Sequence, residues 1–280
     1  MKLWVASFFK LIAITVPMEK RFQIENRLGY ELHSIHYFSS PESSSSKPLV
    51  ILIHGYCGDK ENMGFNAEGF ELGRFTKLAK ALLQEGYEVL SFDLFGHGEN
   101  IREPLRISNF VMDVEDIYAW AKNQGYTRIG TVAYSLGGNA SIHAQLPERK
   151  VAVFWSPAFY PTRSKGKLKV FFYKILAKFM KSPVKDGANF GDVLVDGTFL
   201  QESIRGTSDN VLQKFVIPTL IVHGKSDMYV RWEWSQEAYN KMPHDEKHQF
   251  QVVENAEHHY DKDLLQQFID PTVAWLKIYL

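Results

Sequence analysis

Cysteine is almost absent: Cys57 is the only one among 280 residues. No intrachain disulfide can form, and no cysteine-based metal cluster is expected. That usage fits a reducing compartment, so the expected location is cytoplasmic. Net charge is absent too, with 32 Lys and Arg against 32 Asp and Glu. No global field would draw nucleic acid or acidic substrates. The 10 histidines are dispersed and form no H-E-x-x-H pair, so no metal is expected. Gly96-His97-Gly98 lacks the third glycine of a dinucleotide fingerprint, and no phosphate-loop lysine exists to replace it. No cofactor is therefore expected. There are no internal repeats, and the only low-complexity tract is Ser43 to Ser46. Nor is there an unbroken apolar run long enough to span a bilayer comfortably. Met1 to Met18 is nearly all apolar, but Lys10 splits it and no small-x-small cleavage site follows. It reads as an apolar helix packed on the domain or lying on a membrane surface, with an uncleaved anchor or signal as the alternative.

What is present is an alternation of strands and helices. Arg21 to Asn26 and Tyr30 to Phe38 alternate apolar and polar residues about Leu28-Gly29, which predicts a half-exposed antiparallel hairpin. Leu49 to Ile53, Tyr87 to Leu94, Arg128 to Tyr134, Val151 to Trp155 and Thr219 to Val222 are apolar runs of the kind buried on both faces. His248 to Val253 is the last expected strand. Between them, Leu72, Phe75, Leu78, Ala79 and Leu82 recur at helical spacing and Gly86 stops the helix. Val111 to Asn123 and Leu264 to Leu280 read as further helices. Strand-helix alternation implies a mostly parallel sheet covered on both faces. Residues 162–216 interrupt the rhythm with no strand pattern. They read as a cap insertion in an α/β core made of residues 19–161 and 217–280, preceded by the apolar segment 1–18.

Chemistry enters at Ala133-Tyr134-Ser135-Leu136-Gly137-Gly138. A serine on a sharp strand-to-helix turn is a nucleophile elbow, and the residues two before and two after it must be small. Ala133 and Gly137 are small. The turn also aims the Leu136 amide at a developing oxyanion. His54-Gly55-Tyr56 follows the strand beside it, and the Tyr56 amide is the candidate second donor. Asp227 lies just past the strand Thr219 to Val222, where an acid can orient a histidine. His258 and His259 follow the last strand, and one can act as general base. Each of these residue types is commonplace alone. The order serine, acid, histidine, each after its own strand, raises their weight together.

On these motifs the chain resembles the α/β-hydrolase superfamily from about Arg21 to Leu280. Asp93-Leu94-Phe95-Gly96-His97-Gly98-Glu99-Asn100 is similar to the D-x-x-G-x-G-x-S loop of the branch holding monoacylglycerol lipases, cinnamoyl or feruloyl esterases and serine-aminopeptidase-like hydrolases. The resemblance implies an α/β-hydrolase fold with a helical cap. It maps the nucleophile to Ser135, the acid to Asp227, the histidine to His258 and the oxyanion amides to Tyr56 and Leu136. It gives Asp93 and His97 a supporting role in loops. The chain departs from the pattern at Ala133, Asn100 and Asn255, none of which removes a reacting group. Asn at 255 tolerates the left-handed backbone that the usual glycine would supply.

The expectation is a serine hydrolase cleaving carboxylic esters through an acyl-enzyme on Ser135, carboxylesterase or lipase-like, without a cofactor. Thioesterase, amidase and acyltransferase chemistry can use the same triad, and a non-catalytic binding protein can keep the fold. Tyr134, Trp155, Phe159 and Tyr229 near strand ends are candidates to line a pocket for an apolar acyl or aryl group, although core packing explains such aromatics equally well. Arg163 to Lys185 carries eight Lys or Arg and no acid, so membrane-surface contact through the cap and the N-terminal segment is a further expectation. Nothing in the sequence sets an oligomeric state.

Overall fold

A computed structural model describes residues 18–39, 47–64, 73–163, 174–180, 182–185, 193–243, 245–260 and 262–280. The N-terminal segment through residue 17, most of the serine loop and residues 164–173 of the basic stretch lie outside the described residues. The hairpin is present as β1 (Met18–Glu25) and β2 (Glu31–Phe38), paired antiparallel from Met18↔Phe38 to Glu25↔Glu31. The buried strands are β3 (Leu49–Ile53), β4 (Glu88–Phe92), β5 (Ile129–Tyr134), β6 (Val151–Trp155) and β9 (Thr219–Gly224), and β10 (His248–Val253) at the sheet edge is partly buried. They form one sheet in the order β1-β2-β4-β3-β5-β6-β9-β10. β2 runs antiparallel to β4, and the pairs from β4 to β10 are parallel.

The apolar runs are continuous because both faces of the sheet are covered. Within β3, Leu49, Ile51 and Ile53 enter one core while Val50 and Leu52 enter the other. The first core is closed by α2 (Ile107–Asn123), α3 (Leu136–His143) and α7 (Trp232–Tyr239), the second by α1 (Arg74–Gln84) and α8 (Lys262–Tyr279). Helical spacing puts Phe75, Leu78, Ala79 and Leu82 of α1 on one buried face. Burying Phe75, Leu78 and Leu82 stabilises the fold by about 1.5–3 kcal/mol each.

Two elements differ from the sequence expectation. α2 begins at Ile107, four residues before Val111, because its first turn is capped from a distance. The Glu202 carboxylate accepts from the Ile107 N–H at 2.6 Å and from the Ser108 hydroxyl at 2.7 Å, while the N-cap residue Arg106 makes no side-chain cap bond. The insertion also contains strand, although no strand pattern is visible there. β7 (Val184–Lys185) and β8 (Leu194–Val195) form a two-stranded antiparallel ribbon, and two residues are too few to carry a period-two signal. The rest of its described part is helical: α4 at residues 174–179, α5 (Gly197–Arg205) and α6 (Asp209–Gln213).

The insertion is tied down near the carboxyl ends of the strands. Asp196 caps α5 by accepting from the Thr198 and Phe199 amides and also takes both Arg106 Nη groups, at 2.8 and 2.6 Å. The Thr207 amide donates to the Phe159 carbonyl at 2.8 Å.

Candidate active site

β5 ends at Tyr134 and α3 starts at Leu136, so Ser135 alone makes the turn between them. Its φ of 50° and ψ of −117° lie in a sparsely populated region, which costs about 1–3 kcal/mol for a residue with a side chain. Three backbone bonds hold it there. The Ser135 N–H donates to the Trp155 carbonyl at 3.0 Å, and its carbonyl accepts from Gly138 at 3.0 Å and Ala158 at 2.8 Å. Small neighbours are required for a visible reason. A Cβ on Gly137 would lie 2.2 Å from the His54 carbonyl oxygen, and one on Gly55 would lie 2.9 Å from the Ser135 Cβ. The strand-to-helix turn and the loop after β3 thus touch backbone to backbone.

His258 arrives from the loop after β10, where Asn255 takes the expected left-handed backbone, φ 60°. The Ser226 amide donates to the Ala256 carbonyl at 2.9 Å, which fastens the loop carrying Asp227 to the loop carrying His258. The His258 Nε2 lies 3.0 Å from the Ser135 Oγ, and its Nδ1 lies 2.6 Å from the Asp227 Oδ2. A carboxylate opposite Nδ1 requires a proton on that nitrogen, which leaves Nε2 as the lone pair that accepts from the serine hydroxyl. All three side chains are buried. Ser135, His258 and Asp227 therefore form one directed chain of hydrogen bonds with the ring between hydroxyl and acid.

Asp227 is held from both sides. Its Oδ1 accepts from the Tyr229 amide at 2.9 Å and the Val230 amide at 2.8 Å. Burial alone would raise its pKa, but hydrogen bonds from His223 and His258 outweigh burial and hold the carboxyl well below the usual carboxylate range. His223 is a participant that sequence reasoning passed over. Its Nε2 lies 2.8 Å from the Val230 carbonyl and 3.3 Å from the Asp227 Oδ2, so that nitrogen carries the proton and is shared between the two oxygens. A signal for it was present: buried strands end in His-Gly twice, at His54-Gly55 and at His223-Gly224. His54 plays the matching part in its own loop. Its Nε2 accepts from the Leu94 amide at 2.9 Å and its Nδ1 donates to the Gly55 carbonyl at 2.7 Å. Burial pulls its pKa down to about 4, so the ring stays neutral and joins the loop after β3 to the loop after β4.

That second loop is built as the sequence suggested. Asp93 accepts from the Lys60 amide at 2.7 Å, the Lys60 ammonium at 2.8 Å and the Glu99 amide at 2.8 Å. Asn100 donates to the Asp93 carbonyl at 2.7 Å and accepts from the His33 amide at 2.9 Å, so it also anchors the loop to β2.

Leu136 is the first residue of α3, where the first-turn amides have no acceptor within the helix. Tyr56 follows the Gly55 contact, and its ring stacks on Phe199 of α5 at 6.0 Å and 17°. His259 stands aside from the serine. Its Nδ1 lies 3.4 Å from the Tyr134 hydroxyl, and burial, with the neighbouring His258 ring, pulls its pKa down to about 4. The four aromatic candidates separate. Trp155 is fully buried and donates its indole N–H to the Thr272 hydroxyl at 2.8 Å, while Phe159 packs edge-on against Phe154. Tyr134 is buried under the histidine, with its hydroxyl on the His258 carbonyl at 2.8 Å. Tyr229 is exposed, and its ring centroid lies 5.7 Å from that of His258. Among the described residues no group of three or more His, Cys, Asp or Glu could hold a metal ion, and no helix is long and apolar enough to cross a membrane.

Known proteins share this architecture. A protein-family model described as the alpha/beta hydrolase family matches residues 50–266. The structure of Est1E from Butyrivibrio proteoclasticus with ferulic acid bound superposes with a TM-score of 0.73 at 19% identity, covering 92% of this chain and 98% of that one. A monoacylglycerol lipase from Paleococcus ferrophilus superposes with a TM-score of 0.68 at 18% identity, covering 88% and 98%. At these identities the likeness is one of fold. The human protein ABHD12B is 26% identical over 195 residues, which is 69% of this chain and 49% of that protein. The chain spans half or less of the length of the curated relatives it matches. The family model covers most of the sequence and the sheet order runs through the whole described core, so this chain belongs to the alpha/beta hydrolase family.

Proposed function

We propose that the protein is a serine hydrolase that cleaves a carboxylic ester by acyl transfer to Ser135. The observation that carries this reading is the single directed chain from the Ser135 Oγ through both nitrogens of His258 to Asp227, 3.0 Å and 2.6 Å long at its two links. The Ser135 Oγ attacks the ester carbonyl carbon while His258 Nε2 takes its proton. Asp227 keeps the ring in the tautomer that can accept that proton and stabilises the imidazolium. The carbonyl oxygen becomes an oxyanion held by the Tyr56 and Leu136 amides. Collapse expels the alcohol, which takes the proton back from His258. Water then attacks the acyl-enzyme with the same proton shuttle, releases the carboxylic acid and restores the Ser135 hydroxyl.

The parts around this centre have readings that follow from it. Residues 162–216 act as a cap, because their described helices meet the site where Phe199 stacks on Tyr56. Tyr229 forms a wall of the substrate entrance beside His258. An apolar acyl or aryl group suits those aromatic surfaces. The lone cysteine fits a cytoplasmic enzyme. A fluorophosphonate probe tests the core of the proposal: it should label wild-type protein and leave Ser135→Ala unlabelled. A chain-length series of p-nitrophenyl esters, run beside methyl ferulate and a monoacylglycerol, should then identify the acyl group. Wild-type protein that takes no label and turns over none of these esters would remove the hydrolase reading and leave a binding protein of hydrolase fold.

A further inference from the structure

The face of α4 turned away from the protein is apolar. Ala177 is buried against α5: a Cβ on Gly197 would lie 2.0 Å from the Ala177 carbonyl oxygen, and the Gly197 amide donates to the Met180 carbonyl at 3.3 Å. At 3.6 residues per turn, Ile175, Leu176 and Phe179 share one side of the helix, away from Ala177. They are 40%, 46% and 76% exposed. Lys174 and Lys178, one turn apart, lie together past the Ile175 edge of this side and are exposed as well. The pattern continues beyond the helix, where Val184 is 48% exposed.

A soluble surface does not require an exposed phenylalanine beside two other exposed apolar residues, and such a patch marks a contact site. Its surroundings narrow the partner. The chain as a whole is neutral, yet in sequence Arg163 to Lys185 carries eight Lys or Arg and no acid; of these, Lys174 and Lys178 are exposed on α4 itself, while Arg163 pairs with Glu237. A protein partner matched to that charge would need a dense acidic patch around an apolar socket. A bilayer with anionic headgroups presents both features at once, with negative charge at the surface and an acyl boundary just beneath.

We propose that α4 docks the protein on an anionic phospholipid bilayer. Phe179, Leu176 and Ile175 enter the acyl boundary and Lys174 and Lys178 lie on the headgroups. Because α4 sits on α5, and α5 places Phe199 on the Tyr56 ring, docking brings the lipid surface to the end of the molecule that carries Ser135. The inference does not depend on the hydrolase reading, since Ser135→Ala should bind lipid as wild type does.

The test is flotation of the full-length protein with two kinds of vesicle, phosphatidylcholine alone and an equal mixture of phosphatidylcholine and phosphatidylglycerol. Wild type should float with the anionic vesicles at low salt, bind the neutral ones weakly and lose binding as screening shortens the reach of the lysines. Lys174→Gln with Lys178→Gln should weaken partitioning about tenfold. Phe179→Ser should weaken it by a similar factor. Ile278→Ser, which removes an exposed side chain on α8, should leave partitioning unchanged. Thermal melts should show all variants folded. The proposal is overturned if wild type does not float at low salt, or if the folded α4 variants float as well as wild type, which would place lipid binding elsewhere in the chain. It is equally overturned if Phe179→Ser turns a dimer into a monomer, since a second copy would then cover this face.

Discussion

Among the described residues an acid, an imidazole and a hydroxyl come together at two places at opposite ends of the parallel strands, in each case around a buried acid. At the carboxyl end these are Asp227, His258 and Ser135. At the amino end they are Glu88 at the start of β4, His36 on β2 and Tyr126 just before β5. The groups are similar in kind but their connections differ. At the carboxyl end the acid and the hydroxyl bind opposite nitrogens of the ring, so the acid fixes the tautomer and leaves a ring lone pair facing the hydroxyl. At the amino end the ring and the hydroxyl converge on one oxygen. His36 Nε2 lies 2.9 Å from Glu88 Oε2, and the Tyr126 hydroxyl donates to that same atom. The phenol proton already points at a carboxylate, and the nearest ring nitrogen is 3.4 Å away and engaged with the acid. No lone pair is left to activate the oxygen. On the reading proposed above, similar groups make a reactive chain in one connection and a structural clasp in the other. Backbone decides which: Ser135, Asp227 and His258 all stand past the ends of their strands, where ligands bind in such sheets, whereas His36 and Glu88 lie within paired strands.

The sharpest way to break this comparison is to remove the hydroxyl at each end. Ser135→Ala should lower ester turnover on the order of a millionfold, the usual cost of losing a triad nucleophile. Tyr126→Phe should leave turnover per folded molecule unchanged. A pure Ser135→Ala protein that retains a tenth of wild-type turnover would end the assignment. At the next level down, Asp227→Asn should cost roughly ten-thousandfold, because an amide no longer selects the ring tautomer that accepts the serine proton. His259→Ala should cost far less than His258→Ala, since it is the His258 ring that lies 3.0 Å from the Ser135 Oγ. Steady-state rates on one activated ester, normalised to circular dichroism, decide both. An inactive His259→Ala beside an active His258→Ala would exchange their roles.

The contrast between the two ends also bears on what could be read before the structure. Most strands were legible because burial on both faces makes them continuous apolar runs, as in β6, whereas β10 is partly buried and mixes polar with apolar residues; both occupy the residues expected of them. Ser135, Asp227 and His258 stood out as positions because each follows such a strand. Features that depend on distant partners were not legible. The first turn of α2 needs Glu202, 95 residues further along, to cap it. The strands β7 and β8 exist only as a pair of two-residue segments. Trp155 and Phe159 look like pocket residues when judged by their nearness to strand ends, but face alternation turns Trp155 toward Thr272 of α8. The Glu88 clasp had no signal at all, since Glu88 reads as an ordinary residue at the start of a strand.

His223 sharpens the comparison at intermediate magnitude, because it is what Asp227 has and Glu88 lacks: a second imidazole on the acid. Losing that donor should bring the Asp227 pKa back up toward the ordinary carboxylate range. The sign of the linked stability follows. A depressed folded-state pKa adds stability that is present above the ordinary carboxylate pKa and lost as pH falls toward the folded value. His223→Phe should therefore show a flatter loss of stability in acid than wild type. Its turnover should fall about tenfold. His223→Gln, whose amide can still donate, should recover most of both effects. A loss of stability in acid for His223→Phe that runs parallel to wild type would reduce His223 to packing.

The smallest effect on catalysis, and the one that tests the other half of the comparison, belongs to Glu88→Gln. Two donors, the His36 ring and the Tyr126 hydroxyl, lose the buried charge they share, and an amide can return one acceptor oxygen but not the carboxylate's strength. The expected cost is about 1–3 kcal/mol of stability, the range for disrupting a buried hydrogen-bonded group. It should appear as a lower urea midpoint with an unchanged slope. Fluorophosphonate labelling of Ser135, counted per folded molecule below the melting transition, should proceed at the wild-type rate. The clasp lies at the far edge of the sheet from the serine, so its loss should loosen the fold without misaligning His258. A slowed labelling rate in fully folded Glu88→Gln would mean that the two ends are coupled through β4 and β5, and the division between reactive chain and clasp would then fail.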